Sequence, residues 1–483
     1  MKKIDRGKLF LEKHRGCPAC GRRSLNEVIG GLLDRYRPFF TKPSFEYFTA
    51  FMRCFMGSDQ KKCVTTVFWE SLSEKHFSTF YRFLSQYRWS LKELCQTTLR
   101  LLIELFALSK SVPASPAGGS TDGKSWVIAI LDETRTKKWG TKIFGTSWHF
   151  NHARQKNEGR YFFGHQWVMI GLLIETTARW VFFPLYALLY LRKEKASTRH
   201  PFKTKIQLAC QAILDLALPA AIRLFLIADA FYCNKGLVDF ATGLGHHVIT
   251  RAKINAVFFW PLSNKQRRKK RGRPRKYGRR FDALRFFNNH AKTMAVEVFG
   301  KSLKIKLASK LVVSRALKRP VLLVMIQFPG AAVGYLVTTA LWLTAQEVVI
   351  HYCRRWKIEI TFRELNQRFG AKDYMVRNKN SVPRFMNLCL LAYTLVELLS
   401  LSVMPVSQAL FHAVCDRPWY RRKAPSIGQM RTMIQLFASR ATGIFNAKAN
   451  SRLEAKNPEA FYRRLAAQRQ FPYFAKVSAE SLN

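Results

Sequence analysis

The sequence predicts a mixed α/β (α+β) chain, with a central mixed sheet flanked by helical regions, and three stretches carry that prediction. Two are continuous apolar runs that each close on an aspartate: residues 126–132, WVIAILD, and residues 224–229, LFLIAD. Runs of this length read as strands buried on both faces, delivering Asp132 and Asp229 at their carboxyl ends. The third is residues 344–370, which read as one long helix. Thr344 with Glu347 three residues on makes a capping box, and Gly370 stands where a left-handed cap would end the helix.

Taken in order, residues 1–115 read as a helical region. Pro43-Ser44 starts a helix that runs through Phe55. The stretch KKCVTTVFWE, a Ser-Leu-Ser-Glu turn and KHFSTFYRFLSQ then form either a DNA-binding helix-turn-helix, with Lys75, Tyr81 and Arg82 on its second helix, or an ordinary helical hairpin. Residues 112–124 are rich in Pro, Gly and Ser and read as a linker. After the 126–132 strand, Glu133 must point away from Asp132, because side chains alternate along a strand. Strands from Gly164 and over 179–191 supply the antiparallel part of the sheet, and residues 203–217 form an amphipathic helix before the 224–229 strand.

Residues 254–334 read as a β-rich insertion. Within it, residues 264–280 hold eleven Lys or Arg in seventeen positions and no acid. No such run packs into a core, so a basic loop is expected. Its centre, Arg271-Gly272-Arg273-Pro274, matches the core of an AT-hook, which lays arginines along a narrow A·T minor groove. The alternative is a solvated loop that neutralises phosphates without preference. The apolar stretch 386–404 carries Asn387 and Glu397 and reads as a core helix, and residues 405–483 as a helical C-terminal extension.

The chain has 483 residues and a formal charge of +51, spread along its whole length. That surplus calls for a polyanionic partner, with nucleic acid the first choice. Forty-eight per cent hydrophobic residues make it globular and not disordered. No secretory leader opens the sequence, no membrane span is expected, and ten scattered cysteines suit a reducing cytosol. Cys17 and Cys20 form a lone CxxC near His14; with no second pair to complete a zinc site, a surface loop is expected.

At 100° per residue, Tyr352, Arg355, Glu359 and Asn366 share one stripe of the 344–370 helix, about 60° wide. Alone, an Arg–Glu pair at this spacing only supports a helix. Likewise an aspartate that ends a strand is by itself a turn or an N-cap. Two such strands and a later helical Glu in one chain are a different combination.

The spacing Tyr352, Arg355, Glu359, with Trp356 and Ile358 beside them, resembles the Tyr-Arg-Glu-Lys signature of a group of bacterial insertion-sequence DDE transposases. Asn366 stands where that group has Lys, and Asp132-Glu133-Thr134 where it often has Asp-Asp-Thr. Arg37-Pro38-Phe39-Phe40 and Val337-Thr338-Thr339 are also familiar from the group. The resemblance implies a ribonuclease-H-like catalytic domain (residues 121–253 and 335–404) with a β-rich insertion and flanking helical regions. It further implies cut-and-paste transposition, with Asp132, Asp229 and Glu359 as catalytic acids holding two Mg²⁺ ions (Mn²⁺ as a substitute) and Tyr352 and Arg355 on the DNA backbone. Partners would be double-stranded DNA and a second copy of the chain, in the bacterial cytoplasm at the nucleoid. The competing readings are a catalytically silent, transposase-derived DNA-binding protein and a stand-alone metal-dependent nuclease.

Overall fold

A computed structural model describes residues 25–108, 125–151, 157–176, 179–198, 200–262, 275–298, 300–402 and 425–435. Cys17 and Cys20, the Pro/Gly/Ser linker, Arg271-Gly272-Arg273-Pro274 and most of the C-terminal extension lie outside the described residues. The rest forms two compact units. One comprises the described residues up to Thr97, Gly140–Phe144 and those from Glu364 on; the other comprises Thr98–Trp139 and Gly145–Arg363.

The first unit is helical. It begins with α1 (Leu25–Asp34), α2 (Lys42–Gly57), α3 (Val64–Ser71), α4 (Ser78–Ser85) and the start of α5 (Leu91–Phe106). Thr41 caps α2 through its side chain and Pro43 occupies its first turn, where a missing N–H costs nothing. Its core is aromatic: Phe40 stacks on Phe48 at 4.6 Å and Phe83 on Trp89 at 5.1 Å. α3 and α4 do form the expected pair, but Lys75 precedes α4 instead of lying on it. That lysine is paired with Glu46 and sits over the Tyr47 ring, which ties it to α2.

The second unit is built on one twelve-stranded mixed sheet. β1 (Ser125–Lys137) lies between β3 (Tyr161–Glu175), antiparallel to it, and β5 (Ile222–Ala228), parallel to it. β2 (Ser147–Phe150) pairs the first residues of β3, β4 (Trp180–Tyr190) pairs β3, and β6 (His247–Ala252) runs parallel to β5. This mixed order, with helices α6 (Lys205–Asp215) and α7 (Lys235–Gly243) connecting the strands, is consistent with the ribonuclease-H-like fold. α6 opens with a complete capping box, Thr204 with Gln207.

The insertion continues the same sheet. β7 (Phe258–Phe259) and β8 (Arg280–Phe281) pair with each other and close the two ends of the basic run. A short helix, α8 (Ala283–His290), capped by Asp282, follows; the apolar text gave no sign of it. β9 (Lys292–Val298), β10 (Lys301–Ser314), β11 (Arg319–Gln327) and β12 (Gly334–Thr338) complete the meander, and β12 hydrogen-bonds to β6.

Two expectations need correction. β1 does not end at Asp132: its ladder with β5 stops at Leu131, but its ladder with β3 runs on to Lys137. β5 stops because Asp229 turns the chain into a 3₁₀ turn, while β3 still offers partners to β1. Nor is 344–370 one helix. It is α9 (Ala345–Cys353) and α10 (Trp356–Arg368), joined by a tightened turn in which Arg355, Lys357 and Ile358 donate to carbonyls three residues back. The break falls where two successive cations take separate partners, Arg354 stacking on Trp180 at 3.7 Å and Arg355 turning to Asp132. Both ends are as expected: the Thr344–Glu347 capping box forms, and the helix ends on Gly370 in the left-handed region at φ +74°, with Ala371 N–H bonded back to Leu365 C=O.

α11 (Ser381–Ser402) returns to the helical unit. It is long and apolar enough to cross a membrane, yet most of its residues are buried within the protein. It packs on α2 through Phe385 against Phe55.

Candidate active site

Alternation along the strands decides which way the acids point. Ile128 and Ile130 of β1 and Phe225 and Ile227 of β5 all belong to the core packed under α9 and α10, with Val348, Val349 and Ile358. Two more residues along each strand, the same face carries Asp132 and Asp229. Their neighbours across the parallel ladder, Leu131 and Ala228, are in register, so the two aspartates leave adjacent strands side by side. Glu359 comes from the first turn of α10 above that face.

One guanidinium joins two of the three. Arg355 donates from Nη1 to Asp132 Oδ2 and from Nη2 to Glu359 Oε1 at 3.2 Å. Asp132 and Arg355 are mostly buried, whereas the Glu359 side chain is 41% exposed and stands at the rim. The backbone N–H of Glu133 donates to Asp132 Oδ1 at 2.8 Å. Thr250 Oγ1 fixes the turn at Asp229 by donating to its carbonyl at 2.9 Å.

The electrostatics show crowding of negative charge. Burial raises the Asp132 carboxyl to about 6; Arg355 and the Glu133 N–H pull it down, and Asp229 and Glu359 push it up again. Burial is also the main reason the Tyr352 phenol rises to about 12, with Asp229 adding to it, so Tyr352 lies beside the acids as an un-ionised hydroxyl. Among the described residues no three His, Cys, Asp or Glu side chains are drawn together at metal-ligand spacing. Here a cationic side chain holds two of the acids instead.

The opposite face of β1 holds an arrangement that sequence reasoning located only by direction. Glu133 points away from Asp132 and receives Lys205 Nζ at 2.5 Å, Gln166 Nε2 at 2.7 Å and the Tyr232 hydroxyl at 3.4 Å. Lys205 begins α6 and Tyr232 closes the turn after Asp229, so this cluster ties β1, β3, α6 and the Asp229 turn together. Nothing in the sequence paired Lys205 with an acid seventy-two positions earlier.

Residues 203–395 match the family model of the transposase DDE domain. Over that segment the chain is similar to the DDE domain of transposases. No curated protein matches it. The matched segment holds Asp229 and Glu359; Asp132 lies upstream and joins them through the pairing of β1 with β5. Transposases act on DNA, and a formal charge of +51 suits such a polyanionic partner.

The donor set suits a hard divalent cation: three carboxylates, oxygen ligands only, one of them raised to about 6 mainly by burial and further by the other two. Asn366, a half-buried residue of α10, is neutral where the signature has a cation. Arg271, Gly272, Arg273 and Pro274 fall outside the described residues, though the run they belong to is held at its base by the β7–β8 pair and by Phe259 stacking on Tyr277 at 4.8 Å.

Proposed function

We propose that this chain is a DDE transposase that cuts and joins DNA by a cut-and-paste reaction, with Asp132, Asp229 and Glu359 as its catalytic acids. The observation that carries the reading is geometric: Asp132 and Asp229 leave adjacent strands side by side, and Arg355 bonds both Asp132 and the Glu359 of α10. They are the groups that would hold divalent metal, with two Mg²⁺ ions expected and Mn²⁺ as substitute; bound there, the metal supplies activation of the attacking hydroxyl and stabilisation of the leaving oxygen. Arg355 orients Asp132 and Glu359, and its guanidinium is free to turn to a DNA phosphate once another cation balances the acids. Tyr352, neutral at any working pH, offers a hydroxyl to a phosphate oxygen. The basic run around Arg271 and Arg273 adds phosphate contacts, and Gly272 lets the backbone approach a minor groove. The active form is proposed to be a homodimer on paired DNA ends in the bacterial cytoplasm.

Replacing Asp132, Asp229 or Glu359 by Asn or Gln tests this, using DNA that carries the repeats flanking the coding region. Each variant should keep DNA binding and lose Mg²⁺-dependent cleavage. Near-normal cutting by any one would remove that residue from the set. Cleavage by the wild type without end joining would favour the nuclease reading, and no cleavage in any divalent metal the silent one.

A further inference from the structure

The face of the sheet that carries Asp132 does not stop at the acids. On β3 it passes from Met169, opposite Asp132, through Trp167, His165 and Phe163 to Tyr161, and crosses to Trp148 and Phe150 on β2. At its far end three large aromatic side chains face solvent: Trp148 and Tyr161 are each 59% exposed and Phe150 is 48% exposed. They are paired in register, Phe150 meeting Tyr161 edge-on at 5.6 Å and Trp148 meeting Phe163 at 5.5 Å. Arg135 and Lys137 of β1 point to the other face, where both are paired with Glu158; beside the rings, the exposed Arg160 directly precedes Tyr161. Arg192 reaches this strand and donates to the Trp148 carbonyl at 2.8 Å.

We infer that Trp148, Phe150 and Tyr161 form a stacking platform for unpaired DNA bases. The inference rests on the DNA-cutting reading above and names a second place where that DNA is held. Exposed rings in a cationic setting match the pattern that binds single strands, where each base offers a π-face and the backbone meets the cations. The six to eight residues of β3 between Met169 and the platform span roughly 20–26 Å. That equals about six to eight nucleotides of duplex rise. The platform is therefore placed to hold a strand locally unpaired some way from the cut.

The experiment uses the full-length protein and two fluorescein-labelled probes, an oligo-dT strand and a fully paired duplex of equal length. Trp148→Ala and Tyr161→Ala should each weaken oligo-dT binding about 5- to 150-fold and duplex binding much less. Trp148→Phe should keep most of the affinity. An unchanged thermal midpoint is expected for these exposed positions and checks the fold. Equal losses on both probes, or none on either, would overturn the platform. So would variants that change the oligomeric state but not oligo-dT binding, since the face would then be an interface between copies. If the wild type bound neither probe, the DNA-acting reading itself would fail; if it bound duplex while the variants behaved like wild type on oligo-dT, only the platform would.

Discussion

Asp132 and Glu133 carry the same charge one residue apart on β1, yet the protein treats them in opposite ways. Glu133 is met by a lysine, an amide and a phenol, and its charge is matched where it lies. Asp132 is buried with two further acids and one shared arginine, so its charge is only partly matched and its carboxyl rises to about 6. The matched acid holds the strand in place; the under-matched one fits the proposed role of cation ligand. An acid's role therefore follows from the balance of its partners, which strand alternation distributes between the two faces.

The sharpest break in this comparison is between amide substitutions at the two positions. Asp132→Asn should remove cleavage by at least about 10²–10³-fold, the scale of losing one preorganised electrostatic group. Glu133→Gln should cost only about 10–100-fold, as supporting groups around a metal site do. Comparable losses in single-turnover assays would erase the distinction.

Stability should respond in the reverse order. Lys205→Met leaves the mostly buried Glu133 carboxylate without its cation and should cost about 3–5 kcal/mol, read by chemical unfolding. Adding Glu133→Gln should recover much of that loss, because neither charge is then stranded. Asp132→Asn should stabilise the protein or leave it unchanged, since it relieves crowding.

The pH dependence sharpens the comparison further. The folded Asp132 carboxyl, at about 6, lies above its ordinary 3.8. The folded protein thus holds an extra proton between those values, and the cost to stability is absent below the lower and complete above the upper. Mg²⁺ should raise the thermal midpoint more at about pH 7 than at about pH 5, and cleavage should climb through about pH 6. Arg355 is the largest influence that lowers the Asp132 carboxyl, so Arg355→Ala should move the rise to higher pH. A profile that shifts downward would contradict the geometry.

The smallest effect is expected at Asn366. Asn366→Lys should leave cleavage unchanged or raise it a few-fold through one added phosphate contact, and should steepen the log–log salt dependence of DNA binding by about 0.9. A large loss would mean that this half-buried position does not reach the DNA backbone.

How much of this could be read from the sequence varies with the range of the interaction. The directions of Asp132, Glu133 and Asp229 follow from strand alternation. Thr344, Glu347 and Gly370 mark helix ends because caps are local chemistry. The extension of β1 past Asp132 depends on a partner strand thirty residues later, and the run TRTK gave no apolar signal for it. The break between α9 and α10 was hidden because Arg354 and Arg355 favour helix by propensity; only Trp180 and Asp132, far away in the chain, draw them apart. α8 was missed because LRFFNN reads equally as strand text. The Glu133–Lys205 pair joins residues that no local pattern connects.

The joining of β12 to β6 also sets an order in time. β12 reaches β6 only after an excursion of some eighty residues, and Glu359 follows on α10. Such non-local pairing is slow to form and cannot begin before its second strand exists. On a translating ribosome, at about 5–20 residues per second, the 130 residues from Asp229 to Glu359 take about 7–26 s to appear. Throughout that interval the nascent chain owns both aspartates and lacks the third acid and Arg355. A prematurely terminated product would therefore carry both aspartates without the arginine and glutamate that meet Asp132 in the finished fold.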